Sequence, residues 1–315
     1  MTSIKLILGG AILTVALGVH AEGGQGQGPV GASFKSSVDM VRIAAVVRDH
    51  KGRFVQDLTA RDFEVLDGGQ TRAITDLQRD LAGISVAVLF DVSGSMEGHM
   101  PNAREAATHI LSWMDASADE AAVYTFDTHL DERTPFTTGL HALPASINHV
   151  VPFGATSLHD AIAETARRVG AREGRRRAVI VMTDGADNAS HLKPADVSGI
   201  ASAIDVPVYI FGIVPSIDNP SEEASTHAAG STAFEGPLAD LAAWTGGHVF
   251  IASTPGQRSV AARQIVDELR HQYVIAFESG GRPGWHPLVV RARNKDLTVR
   301  ARSGYIAGQS RPDAH

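Results

Sequence analysis

Residues 84–96 read ISVAVLFDVSGSM, and this stretch decides the fold. Its first seven residues form a largely apolar run without proline or glycine, which is typical of a fully buried β-strand. The run ends at Asp91, and serines follow at 93 and 95 in the order D-x-S-x-S. An acid and two hydroxyls at alternate positions put oxygen donors into one turn. Such donors suit a hard divalent cation such as Mg²⁺ rather than zinc or copper.

Apolar strands and helical stretches alternate downstream of this turn. Strand-like runs are AAVYTF, RAVIVMTD, VPVYIFGIV and HVFIA, and helices are predicted near 101–115, 158–170, 195–203 and 257–270, with one more around LADLAAW. This alternation predicts βαβ units. We therefore expect residues 84–270 to form an α/β domain with a doubly wound, mostly parallel sheet of six strands and helices on both faces.

Two further oxygen donors occur at comparable places in this pattern. Thr156 lies in the sequence FGATS ahead of a predicted helix, and Asp184 lies in MTDG directly after the strand RAVIVM. Open α/β sheets place their binding sites in the loops at the carboxyl ends of parallel strands. Three separate loops are thus expected to point oxygen donors the same way.

The motifs DVSGSM, GATSLHDAI and VIVMTDGADN occur in this order over residues 84–270. In this combination the sequence resembles a von Willebrand factor type A domain that carries a metal-ion-dependent adhesion site. The resemblance implies one divalent cation, Mg²⁺ or else Ca²⁺ or Mn²⁺. The ligands that it implies are Asp91, Ser93, Ser95, Thr156 and Asp184.

The resemblance also implies a function, because in this family a carboxylate from the ligand completes the metal's coordination shell. We expect a binding module that recognises an Asp or Glu of a protein partner. Two alternatives stay open at this stage. One is a scaffold protein of the cell envelope whose metal only stiffens the loops. The other is a metal-assisted hydrolase with Asp91 or Asp184 as base, although the sequence supplies no nucleophile positioned by a base.

Strand-like segments bracket the α/β domain on both sides. Residues 37–80 contain VDMVRIAAVVRD and DFEVLD with turns at Gly52 and at Gly68-Gly69, and residues 271–308 contain QYVIAFES, HPLVVRAR and LTVRARSG. Each segment is too short to bury a core alone. We expect the two to pair into one small β domain. These flanks resemble, more loosely, the von Willebrand A-related proteins of acidobacterial type.

The N-terminus has the features of an export signal. Lys5 precedes an apolar run of 14 residues from 6 to 19, and Val19-His20-Ala21 fits a signal-peptidase site. We expect residues 1–21 to be cleaved, residues 22–36 to form a flexible linker, and the mature protein to be periplasmic or secreted. An uncleaved anchor is the alternative, but spanning a bilayer needs roughly 20 apolar residues. No later apolar stretch is long enough to span a membrane.

Composition excludes several function classes. The chain has 35 acidic and 28 basic residues, a formal net charge of −7, so binding to nucleic acid lacks its usual driving force. There is no cysteine, which excludes disulfides, thiolate metal sites and a Cys nucleophile.

Three weaker signals favour ordinary structural roles, and a fourth has two open readings. The histidines, among them His159, show no paired metal-binding spacing, and the S-x-x-K pattern of residues 190–193 lacks its companion hydrolase motifs. The basic cluster at 172–177 is typical of a solvated turn, with a partner contact as the alternative. The polar segment 215–236 is either a loop bordering the metal site or surface decoration.

Overall fold

The structure is a computed structural model that describes residues 40–79, 83–172, 174–203, 205–215, 234–280 and 283–307. The predicted export signal and linker lie outside these residues, as do residues 216–233 of the long polar segment. Among the described helices, none is both long and apolar enough to cross a membrane.

The described part of the N-terminal flank, residues 40–79, folds into four strands. They are β1 (Met40–Asp49), β2 (Phe63–Asp67), β3 (Gln70–Arg72) and β4 (Ile74–Gln78), with a 3₁₀ turn at Ala60–Asp62. The predicted turn at Gly68-Gly69 joins β2 to β3, which pair as a hairpin.

The central sheet contains β5 (Ile84–Asp91), β6 (Glu120–Phe126), β7 (Leu130–Thr138), β8 (Arg176–Thr183), β9 (Val208–Ile213) and β10 (Val249–Ala252). Its order is β10-β9-β8-β5-β6-β7. Five strands are parallel, and β7 runs antiparallel to β6 at one edge. The mostly parallel, six-stranded sheet is thus confirmed. The sequence did not indicate β7 because an edge strand that is largely exposed has no continuous apolar run.

The described residues contain six helices next to this sheet. They are α1 (Met100–Trp113), α2 (Ala145–Asn148), α3 (Leu158–Gly170), α4 (Pro194–Ala203), α5 (Pro237–Trp244) and α6 (Pro255–Arg270). One buried apolar cluster packs α1 and α6 against one face of the sheet. A second cluster packs α3, α4 and α5 against the other face. Helices therefore cover both faces, as expected for a doubly wound fold.

The C-terminal flank supplies β11 (Tyr273–Glu278), β12 (Gly284–Ala292), β13 (Leu297–Ala301) and β14 (Gly304–Ala307). These strands interleave with those of the N-terminal flank in two antiparallel sheets, β13-β1-β11-β4 and β14-β12-β2-β3. Both sheets contribute side chains to one core, which includes Ile43, Phe63, Ile275 and Leu288. The expected pairing of the two chain ends is confirmed, and each end completes the core of the other.

Candidate metal centre

The candidate site lies where neighbouring strands β5 and β8 end. These strands are parallel, and Phe90 is paired with Met182. Asp91 is the last residue of β5, and Asp184 directly follows the last residue of β8. Both acids therefore lie at the carboxyl ends of parallel strands, where open α/β sheets place their binding sites.

Asp91 is the buried acid of the site, with no solvent exposure of its side chain. Its Oδ1 accepts the backbone N–H of Ser93 at 2.9 Å, and its Oδ2 accepts the hydroxyl of Thr183 at 2.7 Å. Burial raises the pKa of Asp91 to about 6, against the lowering effect of its bonds to Ser93 and Thr183. The negative charge of Asp184 raises this pKa further, so the two carboxylates are close enough to repel each other.

The two serines of D-x-S-x-S lie side by side. The hydroxyl oxygens of Ser93 and Ser95 are 3.1 Å apart, with Ser93 buried and Ser95 exposed. A 3₁₀ turn at Gly94–Met96 produces this proximity, and the buried Met96 side chain anchors the turn in the core. The pair thus presents one recessed and one open hydroxyl.

The second loop, residues 153–157, is bonded to the first. The N–H of Gly94 donates to the carbonyl of Gly154 at 3.1 Å, and the N–H of Phe153 donates to the carbonyl of Val92 at 2.9 Å. Gly154 has a φ of +86°, a conformation that side-chain-bearing residues rarely adopt. This turn delivers Thr156 to the site, where it is buried.

The third loop, which follows Asp184, is bonded to the second. The N–H of Thr156 donates to Oδ1 of Asn188 at 2.9 Å, and the N–H groups of Asn188 and Ala189 donate to the Thr156 carbonyl. Together with the bond from Thr183 to Asp91, every pair of loops is joined by hydrogen bonds. All five residues that the resemblance singled out therefore lie on one connected loop cluster.

Three residues of this cluster were missed as site residues. Thr183 and Asn188 hold the loops together, and Asp187 accepts the N–H of His159 at 2.9 Å and the hydroxyl of Ser190 at 2.7 Å. The sequence had given no site role to Asn188, because its bond to Thr156 joins two loops that are distant in the chain. Nδ1 of His159 lies 2.7 Å from Oδ2 of Asp187, and with the bond from Ser190 this contact braces the start of α3.

The donors at this edge fit a hard divalent cation. They are two carboxylates and three hydroxyls, so all five donors are oxygen atoms. The described part of the chain has no group of three or more His, Cys, Asp or Glu side chains that could hold a metal ion. Burying the Asp91 carboxylate beside Asp184 is unfavourable without a compensating charge. A dication bound by Asp91, Ser93, Ser95, Thr156 and Asp184 would supply it.

Apolar side chains and a polar cavity border the site on the second loop's side. Val151 and Phe153 are 79% and 80% exposed, although both are large and apolar. Next to them is a cavity of about 310 Å³, whose walls include Val92, Asp127 and His149. These two side chains therefore leave exposed apolar surface beside the polar cavity.

The comparison with known families agrees with the fold. Residues 85–268 match the family model of the von Willebrand factor type A domain, which is more than half of the chain. The protein belongs to this family. No curated protein matches the chain in sequence.

Solved structures with this fold resemble the chain at low identity. An aerotolerance-related membrane protein from Bacteroides fragilis has 16% identity and a TM-score of 0.47, covering 59% of this chain and 99% of that one. A conserved hypothetical protein, BatB, from Bacteroides thetaiotaomicron has 16% identity and a TM-score of 0.46, covering 59% and 98%. A von Willebrand factor type A protein from Catenulispora acidiphila has 14% identity and a TM-score of 0.46, covering 87% and 76%.

Proposed function

We propose that this von Willebrand factor type A protein is a divalent-cation-dependent binding module that recognises an acidic residue of a protein partner. The observation that carries the proposal is the connected loop cluster, in which Asp91, Thr156 and Asp184 come from three loops joined by hydrogen bonds. Loops fixed against one another in this way hold oxygen donors in place before a ligand arrives, which lowers the entropic cost of binding.

The chain's own residues have distinct tasks in this proposal. Asp91 supplies a buried anionic oxygen oriented by Ser93 N–H and the Thr183 hydroxyl. Ser93, Ser95 and Thr156 supply neutral oxygens, which neutralise little of a cation's charge. A divalent cation held there offers an electrophilic centre to a carboxylate oxygen of the partner. Ser95 is exposed, so the site faces solvent on this side.

Val151 and Phe153 extend the proposed contact beyond the ion. Phe153 is on the loop that carries Thr156, Val151 lies just before it, and their exposure leaves apolar surface next to the candidate metal centre. A partner that contacts them would gain binding energy by removing this surface from water. We therefore propose that the recognised acidic residue is flanked by apolar residues.

Export is part of the same proposal and rests on the sequence of residues 1–21. A periplasmic or secreted location would put the site in contact with envelope or extracellular proteins. We propose binding rather than hydrolysis because both oxygens of Asp91, one of the two acids that the hydrolase alternative would use as base, already accept hydrogen bonds from the Ser93 N–H and the Thr183 hydroxyl.

A peptide selection tests the proposal. The protein covering the described residues is immobilised in Mg²⁺ and offered a random peptide library. We expect the retained peptides to be enriched in Asp or Glu next to apolar residues, and retention to be lost in EDTA and in Thr156→Ala. Glu278→Gln, which removes an exposed acid on β11 of the β domain, is the matched control and retains the peptides. Equal retention in EDTA by a protein shown to be metal-free would overturn the proposal. If the protein is only a scaffold, no peptide of the library would be retained in a metal-dependent way.

A further inference from the structure

The polar cavity of about 310 Å³ adjoins the candidate metal centre. Part of its wall is Val92, which lies between the proposed ligands Asp91 and Ser93. The cavity is also tied to the second loop, because the N–H of Ser157 donates to the carbonyl of Asp127 at 2.7 Å. A peptide whose acidic residue reaches the metal would therefore lie next to this cavity.

The cavity contains an acid whose charge is not cancelled. Oδ1 of Asp127 accepts the N–H of His129 at 2.8 Å and the hydroxyl of Thr128 at 3.4 Å, and both donors are neutral. Nδ1 of His129 is 3.8 Å from the same oxygen, beyond hydrogen-bond distance. Among the described residues, Oδ2 of Asp127 has no hydrogen-bond partner, and no lysine or arginine pairs with this carboxylate. The side chain is 39% exposed and lines the cavity.

The other acid of the cavity wall is balanced by an arginine. Nη2 of Arg133 is 3.3 Å from Oδ2 of Asp131. The histidines that line the cavity, His129 and His149, add positive charge only when they are protonated. Among the described lining residues, two acids thus face one arginine, and the unbalanced charge is that of Asp127. An unbalanced carboxylate in a concave space attracts a cation.

Apolar side chains form one side of the same cavity. Val151 and Phe153 line it and are 79% and 80% exposed, so water covers their surface in the free protein. Lysine and arginine side chains pack their aliphatic part on apolar surface and keep the charged end group in polar surroundings. The cavity therefore combines the two surfaces that match the two parts of a basic side chain.

We propose that this cavity receives a lysine or arginine of the partner, a few residues from the acid that reaches the metal. The inference rests on the proposed function, since the metal-bound acid brings the peptide to the cavity. The aliphatic part lies on Val151 and Phe153, and the charged end group lies beside Oδ2 of Asp127. The volume is at the lower end for ligand pockets, which favours one side chain over a separate small molecule.

A peptide library with one fixed acid tests this inference. Peptides of the form X-X-X-Asp-X-X-X are offered to the immobilised protein in Mg²⁺, because three extended residues on either side of the acid reach roughly 10 Å. We expect lysine and arginine to be enriched about threefold at a position flanking Asp, as for a partly exposed ion pair. This enrichment is expected to be lost in Asp127→Asn and to increase in Arg133→Gln, which removes the positive charge. Glu278→Gln removes an exposed acid of the β domain and is the matched control, with unchanged enrichment.

The outcomes separate this inference from the proposed function. Mg²⁺-dependent retention without enrichment of lysine or arginine would overturn the inference and leave the proposed function standing. So would equal enrichment in the parent, Asp127→Asn and Arg133→Gln proteins. Absence of any Mg²⁺-dependent peptide would overturn both. The Asp127→Asn variant keeps an oxygen that can accept the N–H of His129, and calorimetry with Mg²⁺ checks its metal centre. If that variant fails to bind Mg²⁺, the enrichment in Arg133→Gln decides alone.

Discussion

The hydroxyl of Thr183 donates a 2.7 Å hydrogen bond to Oδ2 of Asp91, linking the ends of the two central strands β8 and β5. Both residues are buried. The bond takes up one oxygen of a carboxylate that burial and the nearby Asp184 disfavour in its charged form. It orients Asp91 while leaving that carboxylate short of positive charge, which is the condition for cation binding at this edge of the sheet.

Asp91 gives the metal-free protein a pH dependence of stability. Its pKa is raised from 3.8 to about 6 on folding, so the folded state binds more protons between these values and stability falls as pH rises through this range. The shift corresponds to about 3 kcal/mol as an upper bound. Asp91→Asn removes this titration. We expect the unfolding free energy of the parent, relative to Asp91→Asn, to fall from pH 4 to pH 6.5 in denaturant titrations with EDTA. A constant difference would contradict the assignment.

Two substitutions of Thr156 distinguish the role of its hydroxyl as a metal ligand from the role of its methyl group in packing. Thr156→Ala removes the oxygen and is expected to lose most Mg²⁺ affinity in calorimetry, because a strict six-oxygen shell must replace it with water. Thr156→Ser keeps the hydroxyl and is expected to retain affinity within a few fold. The backbone bonds from Thr156 to the third loop are preserved in both variants. Equal affinity in all three proteins would remove Thr156 from the ligand set.

Glu268 connects the last helix of the α/β domain to the β domain. It is 3% exposed and forms ion pairs with Arg48 of β1, at 3.0 Å, and with Arg300 of β13. Although burial opposes its ionisation, the positive charges of Arg300 and Arg48 lower its pKa, so its contribution to stability is present at neutral pH and is lost as pH falls.

Glu268→Gln is expected to destabilise the protein by about 3–5 kcal/mol, because two arginines lose their buried partner. The exposed Glu278→Gln on β11 is the control and should change stability by less than about 0.5 kcal/mol. Chemical denaturation measures both. Unfolding of the β domain as a separate transition in the parent protein would show that Glu268 does not couple the two parts.

Gly247, between α5 and β10, marks a close approach of two backbone segments. A Cβ at this position would lie 1.9 Å from the carbonyl oxygen of Val208. Gly247→Ala is therefore expected to lower the unfolding free energy by more than about 2 kcal/mol. Gly256 in α6 has nothing within 4 Å of an added Cβ, and Gly256→Ala is expected to be neutral or slightly stabilising. Comparable melting temperatures for both variants would contradict this packing.

The sequence predicted the parts of the fold that depend on periodicity. The apolar run 84–90 and its four successors became buried parallel strands, because both faces of a central strand must be apolar. Strand β7 escaped prediction since its side chains face solvent at a sheet edge. The pairing of the two flanks was predictable because each flank is too short to bury a hydrophobic core alone.

The candidate site was predictable only for residues that a motif marks. Asp91 and Asp184 can be recognised in the sequence because each occurs at the end of an apolar run. Asn188 has no such signal, because its link to Thr156 is a tertiary hydrogen bond between residues 32 positions apart.

Water-proton relaxation with Mn²⁺ tests the central claim most directly. Mn²⁺ bound with an exchangeable water raises the relaxation rate of bulk water, and loss of that water on binding a carboxylate lowers it. We expect enhancement in the parent protein and in the control Glu278→Gln, no enhancement above free Mn²⁺ in Asp91→Ala, and a decrease when a selected acidic peptide is added. Enhancement of the same size in Asp91→Ala, or none in the parent protein, would contradict a metal centre at Asp91, Ser93, Ser95, Thr156 and Asp184.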